Sequence, residues 1–330
     1  MKNINSSKQC PYCADFYATL TGEHIFPDFL GGKGKILACK GCNSTFGHSF
    51  EAKASRSLQG LHVSIASWGL PMKGPTNVWP DSHSFLGKPL DLIADGESIN
   101  FALAKTVPQK NANGQLVSIY HPTLDAAKKA VQQLKKKGKQ ATVEIEKFEF
   151  DFSGARFIIA LGSNEYRTAT KMCVALATRM RDYSLSDTNI ARASLQSNSS
   201  RFHCQPDFNR HYALEIMRPN LAHTIYVERK AMGVFGIVQF FGIIQLGVLL
   251  GENDQLASDA AICGYLDPLE GSEVIVDVEP KLNLDFAHTV EESAIQPGVQ
   301  KWLAMFREAA IQRGAKSPPT IVGEATYGEA

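Results

Sequence analysis

The chain has 330 residues, 44% hydrophobic and 20% charged, the composition of a soluble globular protein and not of a disordered or fibrous one. Its formal net charge of +1 excludes a global electropositive field, so affinity for a polyanion must come from local patches. Seven cysteines with no even framework argue against a secreted disulfide scaffold and for a reducing, cytoplasmic setting.

The first eight residues are polar and lack an apolar core, which predicts no secretory signal. The next stretch, 10 to 47, reads CPYCADFYATLTGEHIFPDFLGGKGKILACKGCNSTFG. Two Cys-x-x-Cys pairs, Cys10/Cys13 and Cys39/Cys42, have the spacing of a structural zinc site, because four thiolates close a tetrahedral shell. A redox dithiol normally stands alone, and here there are two. The pairs bracket Glu23-His24-Ile25-Phe26-Pro27 and Gly31-Gly32, and the second runs directly into Asn43.

This order, CxxC, E-H-x-x-P, G-G and CxxC-N, resembles the HNH endonuclease family over roughly the first 60 residues. The resemblance implies a ββα-metal fold gripping one catalytic divalent cation. By motif position it makes His24 the general base, with Glu23 and Asn43 as protein ligands of the cation. Position 34, where the family usually carries a middle Asn or His that fixes the loop orienting the base, is glycine here.

The residue types suit that chemistry. An imidazole with an ordinary pKa near 6.5 can take a proton from water at neutral pH. Carboxylate and amide oxygens suit Mg²⁺ or Mn²⁺ better than zinc, and such a cation offsets the charge developing at phosphorus and on the leaving oxygen. Adjacent residues on a regular strand face opposite ways, so Glu23 and His24 share one site only where the strand is irregular. Pro27 and Gly31-Gly32 supply candidate breaks. His48 falls about 140° from Asn43 around a helix and reads as a surface or hairpin-packing side chain and not as a further ligand. Lys2, Lys8, Lys33, Lys35, Lys40, Lys53 and Arg56 outnumber Asp15, Glu23, Asp28 and Glu51, a local basic excess. The expected partner is DNA, with RNA chemically admissible. The competing expectation is a non-catalytic zinc module that docks nucleic acid or protein, which the glycine at 34 favours.

Residues 49 to 71 predict a helix and an exit segment that closes the zinc module. A Pro/Gly stretch from Leu70 to Pro80 predicts a boundary, giving domains 1–72 and 73–330. Residues 99 to 120 read as a hairpin about Asn113-Gly114. A helix follows over 124–137, whose lysines read as a solvated face. Alternation over 143–152 predicts a strand, and 164–181 has the spacing of a core helix. Residues 186–220, with Arg201, His203, Arg210 and His211, read as a polar connection.

The run 231–251 has the length of a membrane span. Gln239, Gln245, its glycines and its Val, Ile and Phe content instead predict consecutive antiparallel strands. Two more strands, AAICGYLDPL and SEVIVDVEP, and a helix over 298–313 complete the chain.

The expected fold class is therefore α+β: an N-terminal ββα-metal zinc module followed by a larger mixed α+β domain with an antiparallel sheet. That larger domain carries no P-loop, dinucleotide fingerprint or nucleophile elbow. Its expected role, by association with other HNH proteins, is to position DNA, form a homo-oligomer, or bind a regulatory ligand or protein, as in bacterial antiviral defence effectors.

Overall fold

The computed structural model describes residues 7–67, 69–70, 72, 78–85, 88–94, 99–103, 107–110, 112–120, 124–138, 140, 162–197, 204–206, 219–231, 233–242, 244–252, 258–280 and 295–315. The strand expected over 143–152 and the polar residues Arg201, His203, Arg210 and His211 lie outside them.

The chain opens with two small antiparallel pairs: β1 (Lys8–Gln9) with β2 (Phe16–Tyr17), and β3 (Thr21–His24) with β4 (Lys35–Ala38). Helix α1 (Lys40–Phe46) follows β4 directly, which gives the ββα order. A π-helical turn, Gly47–Glu51, then leads into α2 (Ala52–Ser67). Beyond it come β5 (Val78–Phe85), β6 (Lys88–Ala94) and β7 (Ile99–Leu103), a three-stranded antiparallel sheet. Leu92 of β6 packs against Val63 and Ala66 of α2. The hairpin expected over 99–120 is displaced: its first strand splits between β7 and β8 (Val107–Lys110), and only β8 pairs with β9 (Leu116–Tyr120). Helix α3 spans Leu124–Lys136.

The main sheet is antiparallel and six-stranded, in the order β10, β13, β12, β11, β14, β15. Its strands are β10 (Cys204–Pro206), β11 (His223–Lys230), β12 (Gly233–Phe240), β13 (Ile244–Gly251), β14 (Ala260–Asp267) and β15 (Ser272–Val278). The apolar run at 231–251 is thus the hairpin β12–β13, buried along nearly its whole length. No helix among the described residues is long and apolar enough to cross a membrane.

Helix α4 (Ser163–Ala177) crosses the face of this sheet, touching β10 to β14. Thr168 to Ala177 are buried without a break, so the helix has no solvent side. The sheet covers one side and the zinc module the other. Helix α5 (Asn189–Gln196) packs on β13, and α6 (Ile295–Gln312) places Phe306 against Phe241. A single apolar core runs from Cys10, Tyr12, Ile25 and Phe26 through Met172 and Leu176 to Ile225, Leu246 and Phe306. The described residues of the N-terminal module and the main sheet therefore share one apolar core.

Candidate functional site

The four knuckle cysteines converge. Their Sγ atoms all lie within 4.8 Å of one another, and Cys13 Sγ to Cys39 Sγ is 3.9 Å. A tetrahedron with metal–sulfur bonds of about 2.3 Å has edges of about 3.8 Å, so the cluster fits zinc. The local chain explains the convergence. In the first knuckle Ala14 adopts the left-handed region (φ 64°), which lets its amide reach Cys10 O at 2.9 Å and turns the chain back into β2. In the second, Cys39 is the N-cap of α1 and its sulfur accepts from Cys42 N at 3.3 Å.

Within the cluster the charge settles on Cys10: Cys42, which shares a hydrogen bond with it, and Cys13, through burial, are both pushed up. Cys10 Sγ accepts from Cys39 N at 3.3 Å, and Gln196 Nε2 of α5 donates to Cys42 Sγ at 3.5 Å. The Cys10 thiol is held down at about 4, foremost by its hydrogen bond with Cys42 and then, against the cost of burial, by the Cys39 amide. Such outer hydrogen bonds orient metal ligands and stabilise their charge.

The β3–β4 hairpin stands beside this cluster. Its register is Thr21 opposite Ala38, Gly22 opposite Leu37, Glu23 opposite Ile36 and His24 opposite Lys35. The alternation is regular through His24: Glu23 and Ile36 are buried, whereas His24 is half-exposed opposite an exposed Lys35. The break at Pro27 comes only after His24, where a short 3-10 turn, Asp28–Leu30, ends at Gly31 with φ 91°. The irregularity that would bring Glu23 and His24 to one side is therefore absent from β3. The two face opposite ways.

Asn43 lies on the exposed side of α1, with its Nδ2 donating to Gly22 O at 2.9 Å and to Thr21 Oγ1 at 3.4 Å. It ties helix to hairpin two residues from His24. His48 is exposed in the π-helical turn.

Glu23 points the other way, into the protein, where its carboxylate meets the ammonium of Lys171 from α4. The π-helical turn brings Glu51 to the same place, with Oε1 2.8 Å from Lys171 Nζ. Lys171 is fully buried, and it also donates to His24 O at 2.9 Å. Burial pushes the Glu23 carboxyl up from its usual range, with Lys171 opposing. A hard cation would ask for open oxygen donors. Glu23 is committed to a buried ammonium on the inner face of the hairpin, whereas Asn43 meets the hairpin from α1 through its Nδ2, so the two do not present a joined oxygen site in this arrangement. The sulfur cluster fits its metal; the oxygen pair, as placed, does not.

Several groups that shape the site come from far along the chain. Arg179, just beyond α4, donates to Lys35 O at 2.8 Å, so both main-chain oxygens of the His24–Lys35 rung are held from outside the module. Glu273 of β15 accepts from the amides of Lys33 and Gly34 at 2.7 and 2.8 Å. A lone Lys in the apolar pattern of α4 is a sequence sign of a buried counter-charge, although it does not say which one. Glu273 leaves no such sign.

Residues 10–59 match the family model described as HNH endonuclease. The N-terminal module is thus HNH-type, and its cysteine cluster is the expected structural metal centre. No curated protein and no solved structure matches the chain.

Proposed function

We propose that this protein is a metal-dependent endonuclease that hydrolyses DNA phosphodiester bonds, with His24 as general base and zinc on Cys10, Cys13, Cys39 and Cys42 as a structural rivet. His24 takes a proton from water, the water oxygen forms a new bond to phosphorus, and the 3′ oxygen leaves with the electron pair of the bond that breaks. Mg²⁺ or Mn²⁺, when bound, would stabilise the charge on the phosphate; Asn43 Oδ1 would be one donor to it, and Glu23 could join only if it exchanged Lys171 for the metal.

The observation that carries this reading is how charge is placed in the module that holds His24. Lys35 is exposed opposite His24, whereas Glu23 and Glu51 are turned inward onto Lys171. Lys8, Lys33, Lys40, Lys53 and Arg56 are also exposed, against the exposed acids Asp15 and Asp28, and this basic excess suits a polyanion.

The test is nicking of supercoiled plasmid with added Mn²⁺ or Mg²⁺. His24→Ala is expected to lower the rate by about 10² to 10⁴, the usual contribution of a positioned base, with zinc content and fold unchanged. Cutting at the parental rate would remove His24 from the role. Chelator-treated protein should regain activity on adding Mg²⁺ or Mn²⁺.

The commitment of Glu23 to Lys171 favours a second reading, a zinc module that binds nucleic acid or protein without cutting. Tight DNA binding by the wild type with no nicking at any divalent cation concentration would select it.

A further inference from the structure

The outgoing limb of the segment between β3 and β4 is anchored by its own buried Ile25, Phe26 and Leu30, whereas the returning limb, Lys33 and Gly34, is held from outside. The two limbs are joined by Ile25 N to Gly34 O at 2.9 Å, immediately beyond the His24–Lys35 rung, and the tip is closed by the turn bonds Leu30 N to Pro27 O and Gly31 N to Asp28 O. The returning limb turns two consecutive amides, Lys33 N and Gly34 N, toward Glu273 Oε2 at 2.7 and 2.8 Å. Lys33 Nζ adds a bond to Gly271 O at 2.8 Å in the turn between β14 and β15. On the near side, Phe26 packs over Gly264 of β14, where an added Cβ would lie 3.5 Å from its ring.

Glu273 and position 34 are matched. A Cβ built on Gly34 would run into Glu273 Oε1 and lie 3.1 Å from its Cδ. The carboxylate thus occupies the volume a side chain at 34 would need, and it binds both amides because that volume is open. Hydrogen bonds to an ionised acceptor are the strong class, roughly twice a neutral one.

We propose that Glu273 is the positioning residue for His24. Its carboxylate fixes Lys33 and Gly34, the Gly34 carbonyl fixes Ile25, and Ile25 carries the backbone that aims the imidazole. The main sheet therefore sets the geometry of the base-bearing hairpin through one side chain that no segment of the N-terminal module supplies. The kinetic consequence rests on the nuclease reading above; the structural one does not.

The experiment compares full-length, zinc-loaded wild type with Glu273→Ala, Glu273→Asp, Glu273→Gln and Gly34→Ala. Glu273→Ala and Gly34→Ala are expected to lower kcat for plasmid nicking about tenfold or more, with KM within about twofold of wild type. Glu273→Asp, one methylene too short, should fall several-fold while keeping its charge. Glu273→Gln, whose amide oxygen still accepts from both N–H groups, should restore most of kcat. Wild-type kcat in Glu273→Asp or Glu273→Ala, or equal losses in the Gln and Ala variants, would overturn the proposal. If Glu273→Ala does not fold, the Asp and Gln pair carries the same contrast.

A readout independent of cutting is the NMR resonance of the His24 ring. It should move in Glu273→Asp and return toward the wild-type position in Glu273→Gln. If the wild type does not cut DNA, the nuclease reading fails by itself, and a His24 resonance identical in wild type and Glu273→Asp would then overturn the positioning role.

Discussion

The sulfur cluster and the hairpin beside it are neighbours built in opposite ways. The cluster draws its four ligands from within the module, and its turns, caps and N–H donors are almost all local. The hairpin draws its constraints from α4, the residue just past it and β15: Lys171 on His24 O, Arg179 on Lys35 O and Glu273 on the returning limb. A metal can gather its own ligands, because binding free energy becomes folding free energy. On the proposed nuclease reading, a base that must meet a phosphate in one orientation needs a frame that does not move with it.

Removing the zinc attacks the local half of that contrast and should have the largest effect. Structural zinc in isolated fingers is worth about 10 to 16 kcal/mol. Stripping the metal, or Cys39→Ser, should therefore abolish hydrogen-exchange protection in β1 to β4 while the strands β11 to β14 stay protected. Loss of protection throughout the sheet would mean that the cluster supports the whole core.

Lys171→Met attacks the distant half. It leaves the carboxylates of Glu23 and Glu51 together without their cation, and breaking a buried pair in this way costs about 3 to 5 kcal/mol. Denaturant unfolding should register that loss, and millimolar Mg²⁺ or Mn²⁺ should recover part of it if the freed carboxylates accept a divalent ion. Unchanged stability with and without the ion would show that the triad is not coupled to folding.

Acid should weaken the contact between α2 and the main sheet. His62 and His223 are buried with ring centroids 6.2 Å apart, wedged against Phe241. Burial pushes His62 down to about 4, and burial plus its neighbour pushes His223 well below its usual value. Both stay neutral when folded and charge more readily when unfolded. Their contribution is thus full above pH 6.5 and lost as pH falls toward 4, by about 3 kcal/mol for His62. The raised carboxyl of Glu23 acts in the opposite sense. His62→Leu should flatten the stability profile over that window; an unaltered slope would remove His62 as the cause.

The smallest effect tests the one outside contact the cluster does use. Gln196 bonds Cys42 Sγ and Tyr12 O across to the first knuckle. Gln196→Ala should cost about 1 kcal/mol and raise the zinc dissociation constant about tenfold by competition with a chelator. No change in zinc affinity would make the cluster wholly self-sufficient.

Legibility in the sequence followed the same division. The cysteine spacing, the ββα order and the strands β11 to β15 are written in short-range pattern, and each appears at its expected place. The polar stretch from 186 was read as a connection, yet it holds α5. A capping box at Ser184 and Asp187 marks the turn leading into that helix, a signal that composition masked. The strands β5 to β7 begin inside or just after a Pro/Gly stretch that suggested a boundary, because α2 needed a partner for Val63 and Ala66. The opposed faces of Glu23 and His24 follow from strand alternation alone. What reversed the expectation was the buried ammonium, which made the inward position tolerable for a carboxylate. The matching of Glu273 to Gly34 spans 239 residues and has no local correlate.

The shared core has a consequence for how this module can travel. Ile25, Phe26, Leu30 and Leu58 are almost wholly shielded from water and belong to one core with residues of α4 and the main sheet, Phe26 lying against Gly264. Cut out at residue 72, the HNH segment would keep its metal clasp but bare a greasy flank and strand two acidic groups inside it. It is not a portable cassette: recombination that moved it into a new host protein would have to bring α4 along.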